Sequence, residues 1–369
     1  MRSSEPVVGI TGLDAGDNPH PGTAVALALR ADPTFRGKII ALPFDPLVNG
    51  AFCESLFDGW SLFPWPGDHE RWYLAAAARA RRDFGIDVLL PCLDSDVPAV
   101  SRLAPALAEM GIATLVPPFE AVKRRFKWNL ADTCAGLGVE TPRTAVLYDV
   151  AQIHPLGGWT YPLYVKGSLA DAELAHDSEE AEYLFRRMAL RWGYPVMIQE
   201  RRSGVEYLVS GVCRSGGDPA ALISVKQVRT NSLGKAVAGV TVADPELDDL
   251  ARRILKGLAW RGPFELEFMK DASNGRFFMI EINGRFPAWI SFAPRAGSSV
   301  VTDAIRLARG EEPAGLPAPP SGIHFTREYH VETVRVADAS VLGATARARV
   351  EPLVRPPESV LAPLEGPSL

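Results

Sequence analysis

The sequence predicts a mixed α/β and α+β protein, an open and mostly parallel sheet first and antiparallel sheets after it. Three observations carry this expectation. Apolar strand patterns alternate with Ala- and Arg-rich helix patterns up to residue 116, as βαβ units do. The pair Pro117-Pro118 then breaks the alternation. Beyond it, short segments with a two-residue polar/apolar period and turn residues between them read as antiparallel strands.

Val7-Val8-Gly9-Ile10 is a buried strand that runs into Gly12, Asp14, Gly16, Asp17 and Asn18. A helix is expected over 22–30, a strand over 38–43, a helix over 70–84 and a strand over 87–91. A helix over 97–110 and a short strand over 113–116 close the parallel part. The pattern then predicts one helix over 119–137, stopped near Gly136 and Gly138, because glycine readily ends helices. Strands follow at 143–146, 163–166, 196–199 and 206–213, with a helix over 178–192 among them. A long helix over 245–259 leads into two strands, 264–270 and 276–282, joined by the turn Asp271-Ala272-Ser273-Asn274-Gly275. Residues 311–322 are rich in Pro, Gly and Ala and read as a linker; 324–336 has strand character, and the last residues are expected to pack loosely.

At 369 residues the chain is too long for one simple core and suggests two or three domains. A net charge of -5, with Lys123-Arg124-Arg125-Phe126-Lys127 as the one short basic cluster, argues against nucleic acid as a partner. Cys53, Cys92, Cys134 and Cys213 are scattered without a C-x-x-C pair, as in a reducing compartment. No apolar run approaches the roughly 20 residues that span a bilayer, and the polar start predicts no signal peptide, so a cytoplasmic protein without membrane contact is expected. The six histidines are dispersed, with no H-E-x-x-H and no G-x-S-x-G elbow, which disfavours a zinc hydrolase or a serine esterase.

The sharpest chemical feature is Phe264-Glu265-Leu266-Glu267-Phe268-Met269 followed by Met279-Ile280-Glu281-Ile282-Asn283-Gly284-Arg285. Residues two apart in a strand share a face, so Glu281, Asn283 and Arg285 point one way while Ile280 and Ile282 point into the core. Paired as a hairpin, the strands let Glu267 meet Glu281 and Asn283. Two carboxylates and an amide carbonyl are hard oxygen ligands suited to Mg²⁺ carrying nucleotide phosphates. Arg285, further along that face, suits charge neutralisation on a transferring phosphoryl group. Taken alone, the same alternation also describes a solvated hairpin face.

These residues, in this order, resemble the metal-binding signature of the ATP-grasp superfamily, E-x-F, a short hairpin, then E-x-N-x-R. The resemblance runs from the start of the chain to about Arg309 and implies a carboxylate–amine ligase using ATP and Mg²⁺, with Mn²⁺ as a substitute. It implies an ATP-grasp fold: a parallel-sheet pre-ATP-grasp domain (1–117), a linker helix and small lid (118–200), a larger antiparallel catalytic lobe (201–312) and a C-terminal extension (313–369). By this resemblance Glu267 and Glu281 flank the metals, Asn283 completes a shell, and Lys127 and Lys166 contact nucleotide phosphates. It places Gln199 and Glu200 at the adenine hinge and Glu206 on the ribose. Lys226, Arg229 and Arg295 are candidates for phosphate or a substrate carboxylate, and 286–290 with 295–299 is where similar ligases keep substrate-side residues.

One departure stands out. Such ligases often carry a glycine-rich loop after the strand lysine, whereas Lys166-Gly167-Ser168-Leu169-Ala170-Asp171-Ala172-Glu173 has a single glycine and two acids that would repel a triphosphate. The expected activity is acyl-phosphate formation followed by attack of an amine, with small-molecule carboxylate and amine substrates or a peptide acceptor, and a homodimer as one admissible assembly. A bicarbonate-activating enzyme and a nucleotide-binding protein without turnover are the alternatives.

Overall fold

The computed structural model describes residues 5–327 except 17, 54, 68 and 155, together with the backbone of two short strands beyond them. The first part is a parallel sheet: β1 (Val7–Ile10), α1 (Pro21–Ala31), β2 (Lys38–Ala41), β3 (Gly59–Trp60), α2 (Glu70–Phe84), β4 (Val88–Leu90), α3 (Asp96–Glu109) and β5 (Ala113–Thr114). Its strand order is β3-β2-β1-β4-β5, with every pairing parallel. The order reverses between β1 and β4, so the loops after these two strands splay apart and leave a crevice at their carboxyl ends. Gly12 opens the loop after β1 at φ +66°, against the carbonyl of Cys92 after β4. At Gly22 a Cβ would meet the Thr11 carbonyl at 2.1 Å, so only glycine lets α1 start this close to that loop.

The expected single helix over 119–137 is two, α4 (Phe119–Arg125) and α5 (Leu130–Gly136). Side chains between them satisfy the carbonyls that a continuous helix would use. Asn129 Nδ2 donates to the Lys123 carbonyl at 2.8 Å, Thr133 Oγ1 donates to that of Arg124 at 2.8 Å, and Phe126 stacks on Trp128. The corner lifts Lys127 out of any helix.

Next comes an antiparallel sheet of order β6-β9-β7-β8, built from β6 (Thr144–Leu147), β7 (Leu163–Lys166), β8 (Ala172–Ala175) and, after α6 (Ser178–Trp192), β9 (Val196–Glu200). It packs on α6 around a separate core that includes Leu163, Val165, Leu184, Phe185 and Ile198. Strand β8 was not anticipated; its burial is too weak to leave an apolar pattern.

The largest sheet has the order β14-β13-β10-β11-β12-β15, from β10 (Gly204–Cys213), β11 (Pro219–Thr230), β12 (Ala236–Thr241), then α7 (Pro245–Gly257), β13 (Gly262–Asp271), β14 (Phe277–Asn283), α8 (Val300–Ala308) and β15 (His324–Thr326). One face packs Phe264, Leu266 and Phe268 with Trp260 beneath α7, α4 and α5. Burying side chains of this size contributes about 1.5–3 kcal/mol each. On the other face Leu208, Val212, Ile223 and Val225 share one core with α1, α8 and the parallel sheet. The core of the β6-β9-β7-β8 sheet is separate from it. A backbone pairing of Val334–Val336 with Val350–Pro352 is the last described feature, and the loose tail expected after residue 352 lies outside the described residues. No helix among the described residues is long and apolar enough to cross a membrane.

Candidate active site

The β13–β14 hairpin sets the site, and its register differs from simple alternation. Glu265 pairs with Asn283 and Glu267 with Glu281, but Phe268 pairs with Met279, so Ile280 is an extra residue in a bulge. Phe277, Met279 and Ile282 are therefore core residues of β14, while Ile280, expected in the core, is only half-buried. The bulge has a consequence for chemistry. It allows Met279 to point one way and Glu281 and Asn283 the other, which unbroken alternation forbids.

Glu265 is held by three donors. Trp289 Nε1 donates to it at 3.0 Å, Asn283 Nδ2 at 3.2 Å and Arg285 Nη1 at 2.5 Å. So bound, it braces the site rather than offering ligand oxygens. Arg285 is fixed from its other side by Asp94, whose Oδ2 accepts from Nε at 2.9 Å. Asp94 sits in the loop after β4, and it also pairs with Arg125 at 3.0 Å and accepts from the Gly284 amide. Burial alone would raise the Asp94 pKa, yet Arg285 and Arg125 hold it below the usual range. Arg285 is likewise raised, because Asp94 and Glu265 outweigh its desolvation. Thus the parallel-sheet part and the hairpin aim one guanidinium together.

Beside this brace lie Glu267 and Glu281. Burial and the neighbouring carboxylates of Glu281 and Glu265 push Glu267 up. Glu281 is lowered instead: burial opposes it, but Lys127, Lys235 and Lys166 surround it, with Lys127 Nζ at 3.5 Å. Lys166, at the end of β7, is pushed down to about 8 by burial and by Lys127, against the pull of Glu281, Glu267 and Glu206. Lys235 rides an exposed turn between β11 and β12; Glu267 and Glu281 raise its pKa against desolvation. Three elements from two lobes therefore converge cations on one carboxylate pair.

Like charges directly opposite on a ladder are destabilising, and a hard cation relieves them. Glu267, Glu281 and the Asn283 carbonyl fit Mg²⁺ in chemistry. Among the described residues no group of three His, Cys, Asp or Glu side chains forms a metal cage. Mg²⁺ binds through one or two carboxylates and keeps waters and phosphate oxygens for the rest.

The remaining candidates divide. Glu206 is on the cleft face of β10, hydrogen-bonded to Gln227 and near Lys166; burial raises its pKa. Gln199 is buried and donates through Nε2 to Thr144 Oγ1 at 3.0 Å, between β9 and β6. Glu200 pairs with Arg202 at 3.0 Å. Lys226 lies opposite Tyr207, on the face packed by Phe277 rather than on the cleft. Arg229 is exposed towards the outer end of β11, and Arg295 is exposed on a 3-10 turn, Ile290–Ala296. Phe286, Trp289 and Ile290 are core residues, so the expected substrate-side stretch is a wall behind Glu265.

The two acids of the glycine-poor loop do not face the cleft cations. Asp171 accepts from Trp192 Nε1 and pairs with Arg191, both at 2.9 Å, and Glu173 pairs with Arg187. All three partners are on α6. Asp94, Arg125 and Lys235 were not among the sequence candidates. For Asp94 a signal existed, since it follows β4 at the carboxyl end of a parallel strand, where ligands gather. Lys235 follows a polar turn with no period to betray its direction.

No protein-family model matches the chain, and no curated protein sequence matches it. Solved structures do. An L-amino acid ligase from Bacillus licheniformis superposes with a TM-score of 0.62 at 15% identity, over 82% of this chain and 74% of that one. Biotin carboxylase from Campylobacter jejuni gives 0.62 at 16%, over 82% and 71%. N5-Carboxyaminoimidazole synthetase from Staphylococcus aureus gives 0.62 at 14%, over 86% and 80%. At such identities the likeness speaks to architecture, and with the sheets described above it establishes that this chain has the ATP-grasp fold.

Proposed function

We propose that the protein is an ATP-dependent carbon–nitrogen ligase that activates a carboxylate as an acyl phosphate and couples it to an amine. The observation that carries this reading is the buried Glu267/Glu281 pair ringed by Lys127, Lys166 and Lys235, with Arg285 clamped between Asp94 and Glu265. That arrangement matches the needs of phosphoryl transfer, in which positioning and charge stabilisation do most of the catalysis.

ATP sits between the lid sheet and the largest sheet, with its phosphates towards Lys166 and Lys127 and its ribose towards Glu206. Mg²⁺, or Mn²⁺ in its place, held by Glu267, Glu281 and Asn283, supplies charge neutralisation on the phosphate oxygens. The substrate carboxylate oxygen attacks the γ-phosphorus; the bond to the β–γ bridging oxygen breaks, and ADP leaves. Lys166, Lys127, Lys235 and Arg285 offset the charge on the transferred group. The amine nitrogen, in its neutral form, then attacks the acyl carbon, the acyl–oxygen bond breaks, and phosphate leaves with its electron pair and takes up the proton that the nitrogen gives up. The lid has its own core, so it can close as a unit and keep water from the acyl phosphate. Burial and Lys127 push the Lys166 pKa down to about 8, so the negative charge of a triphosphate would favour its protonated form.

The test is ADP and phosphate release from Mg·ATP against pooled carboxylates, with and without pooled amines, beside Glu281→Gln protein. Turnover that needs both pools and vanishes in the variant is expected. Release that depends on bicarbonate instead would point to a carboxylating enzyme, and tight ATP binding with silence in every pool would point to a protein without turnover.

A further inference from the structure

A cavity of about 330 Å³ opens among the loops after β1, β2 and β3, lined by Asp14, His20, Phe44, Asp45 and Trp65 among others. Its size is at the small end of the range for ligand pockets, about 300–1,000 Å³. It adjoins the site described above: His20 is close enough to Arg285 for the guanidinium to lower its pKa. Its walls have a definite chemistry. Phe44 and Trp65 stack at 5.2 Å, and Trp65 stays 53% exposed, a large aromatic face without cover.

The charge in the cavity is negative. Asp14 accepts from the Gly16 amide and Asp45 from the Leu47 amide, each through Oδ1. Among the described residues neither carboxylate makes an ion pair or a further side-chain hydrogen bond, so both second oxygens remain available. His20 adds no compensating cation at neutral pH, because burial lowers its pKa and Arg285 adds to this, against Asp14. An anion entering here would meet two carboxylates; an ammonium group would find two acceptors and an aromatic face suited to cation–π contact.

We propose that this cavity is the acceptor subsite: it takes a small ammonium-bearing molecule with an apolar or aromatic body, and it turns away the carboxylate substrate. The assignment rests on the ligase reading above, and it divides the two substrates between two places. The carboxylate goes to the Arg285 side, and the amine approaches from the loops after β1, β2 and β3.

The test is calorimetric titration of the full chain without nucleotide, using 2-phenylethylammonium, isoamylammonium and agmatine, with 3-phenylpropionate as the anion of matching size. At least one ammonium probe is expected to bind tenfold or more tightly than the anion. Asp14→Asn/Asp45→Asn protein should lose at least tenfold of that affinity, and Trp65→Ala should weaken it, while ATP binding stays unchanged as the control for folding. Equal or tighter binding of the anion, no binding of any ammonium probe, or an affinity indifferent to the double substitution would overturn the assignment. Ammonium binding that follows this pattern in a protein that never turns over ATP would uphold the subsite and count against the ligase reading alone.

Discussion

Two hairpins that border the same cleft both carry acids and use them in opposite ways. In β13–β14 the carboxylates of Glu267 and Glu281 meet across the ladder, and cations from other elements gather around them. In β7–β8 the carboxylates of Asp171 and Glu173 are drawn to arginines of α6, on the lid's own helix. The difference lies in which partners the packing supplies. An acid whose partner sits on the adjacent element is a brace, whereas an acid left beside another acid is a place for a cation. Glu265 shows both in one hairpin, since three donors convert it from ligand to brace.

Breaking the first hairpin's pair should give the largest effect. Glu281→Gln is expected to lower kcat by about a thousandfold or more, the scale of losing a group that stabilises charge in the transition state. Near-normal folding by circular dichroism with this loss would place Glu281 in the chemistry; retained turnover would remove the hairpin from it.

A third kind of acid sharpens the contrast. Asp96 is fully buried, and among the described residues it meets neither a cation nor a second carboxylate; it accepts from the hydroxyls of Thr11 and Tyr73. Burial pushes its pKa up to about 7, against these two hydrogen bonds. The folded state therefore keeps a proton that the unfolded state releases near pH 4. Stability should be highest below about pH 4 as far as this group is concerned, and should fall by on the order of 1 kcal/mol per unit up to about 7, then level off. Asp96→Asn should flatten this slope in melting curves taken between pH 5 and 8, and an unchanged slope would deny Asp96 the proton.

Positioning residues come next. Asp94→Asn leaves Arg285 tied to Glu265 but loses the charge that aims its other edge. By analogy with groups that orient a ligand from behind, kcat should fall about ten- to a hundredfold. ATP affinity should hold within about twofold in direct binding, and a loss of kcat and ATP affinity together would make Asp94 structural.

How much of this was readable in the sequence follows from range. The parallel sheet and the hairpin were legible because their periods are local: a buried strand, a helix face, an E-x-N-x-R run. The break at Phe126–Asn129 was not, since the helix pattern continues through it and the interruption depends on Asn129 and Thr133 reaching back to carbonyls. The Ile280 bulge was hidden because an isoleucine fits either face. Lys235 and Asp94 were missed for one shared reason: each lies in a loop and acquires its role through the charges of a hairpin further along the chain. Asp171 and Glu173 looked hostile to a triphosphate because sequence spacing gives a side chain's neighbours along the strand, not the helix that packs over it.

The smallest effect tests that last point and closes the comparison of hairpins. Asp171 adopts φ +64°, a left-handed conformation that asparagine tolerates at least as well. Asp171→Asn therefore removes the charge without imposing backbone strain. It loses the ion pair to Arg191 and weakens the bond from Trp192, a cost of about 1 kcal/mol in stability. If Asp171 is a brace on α6, that cost should appear in chemical denaturation while kcat stays within about twofold of wild type, the reverse of the pattern expected for Glu281. If the substitution instead tightened ATP binding several-fold with no change in stability, the carboxylate would be facing the phosphates, and the two hairpins would be doing the same work after all.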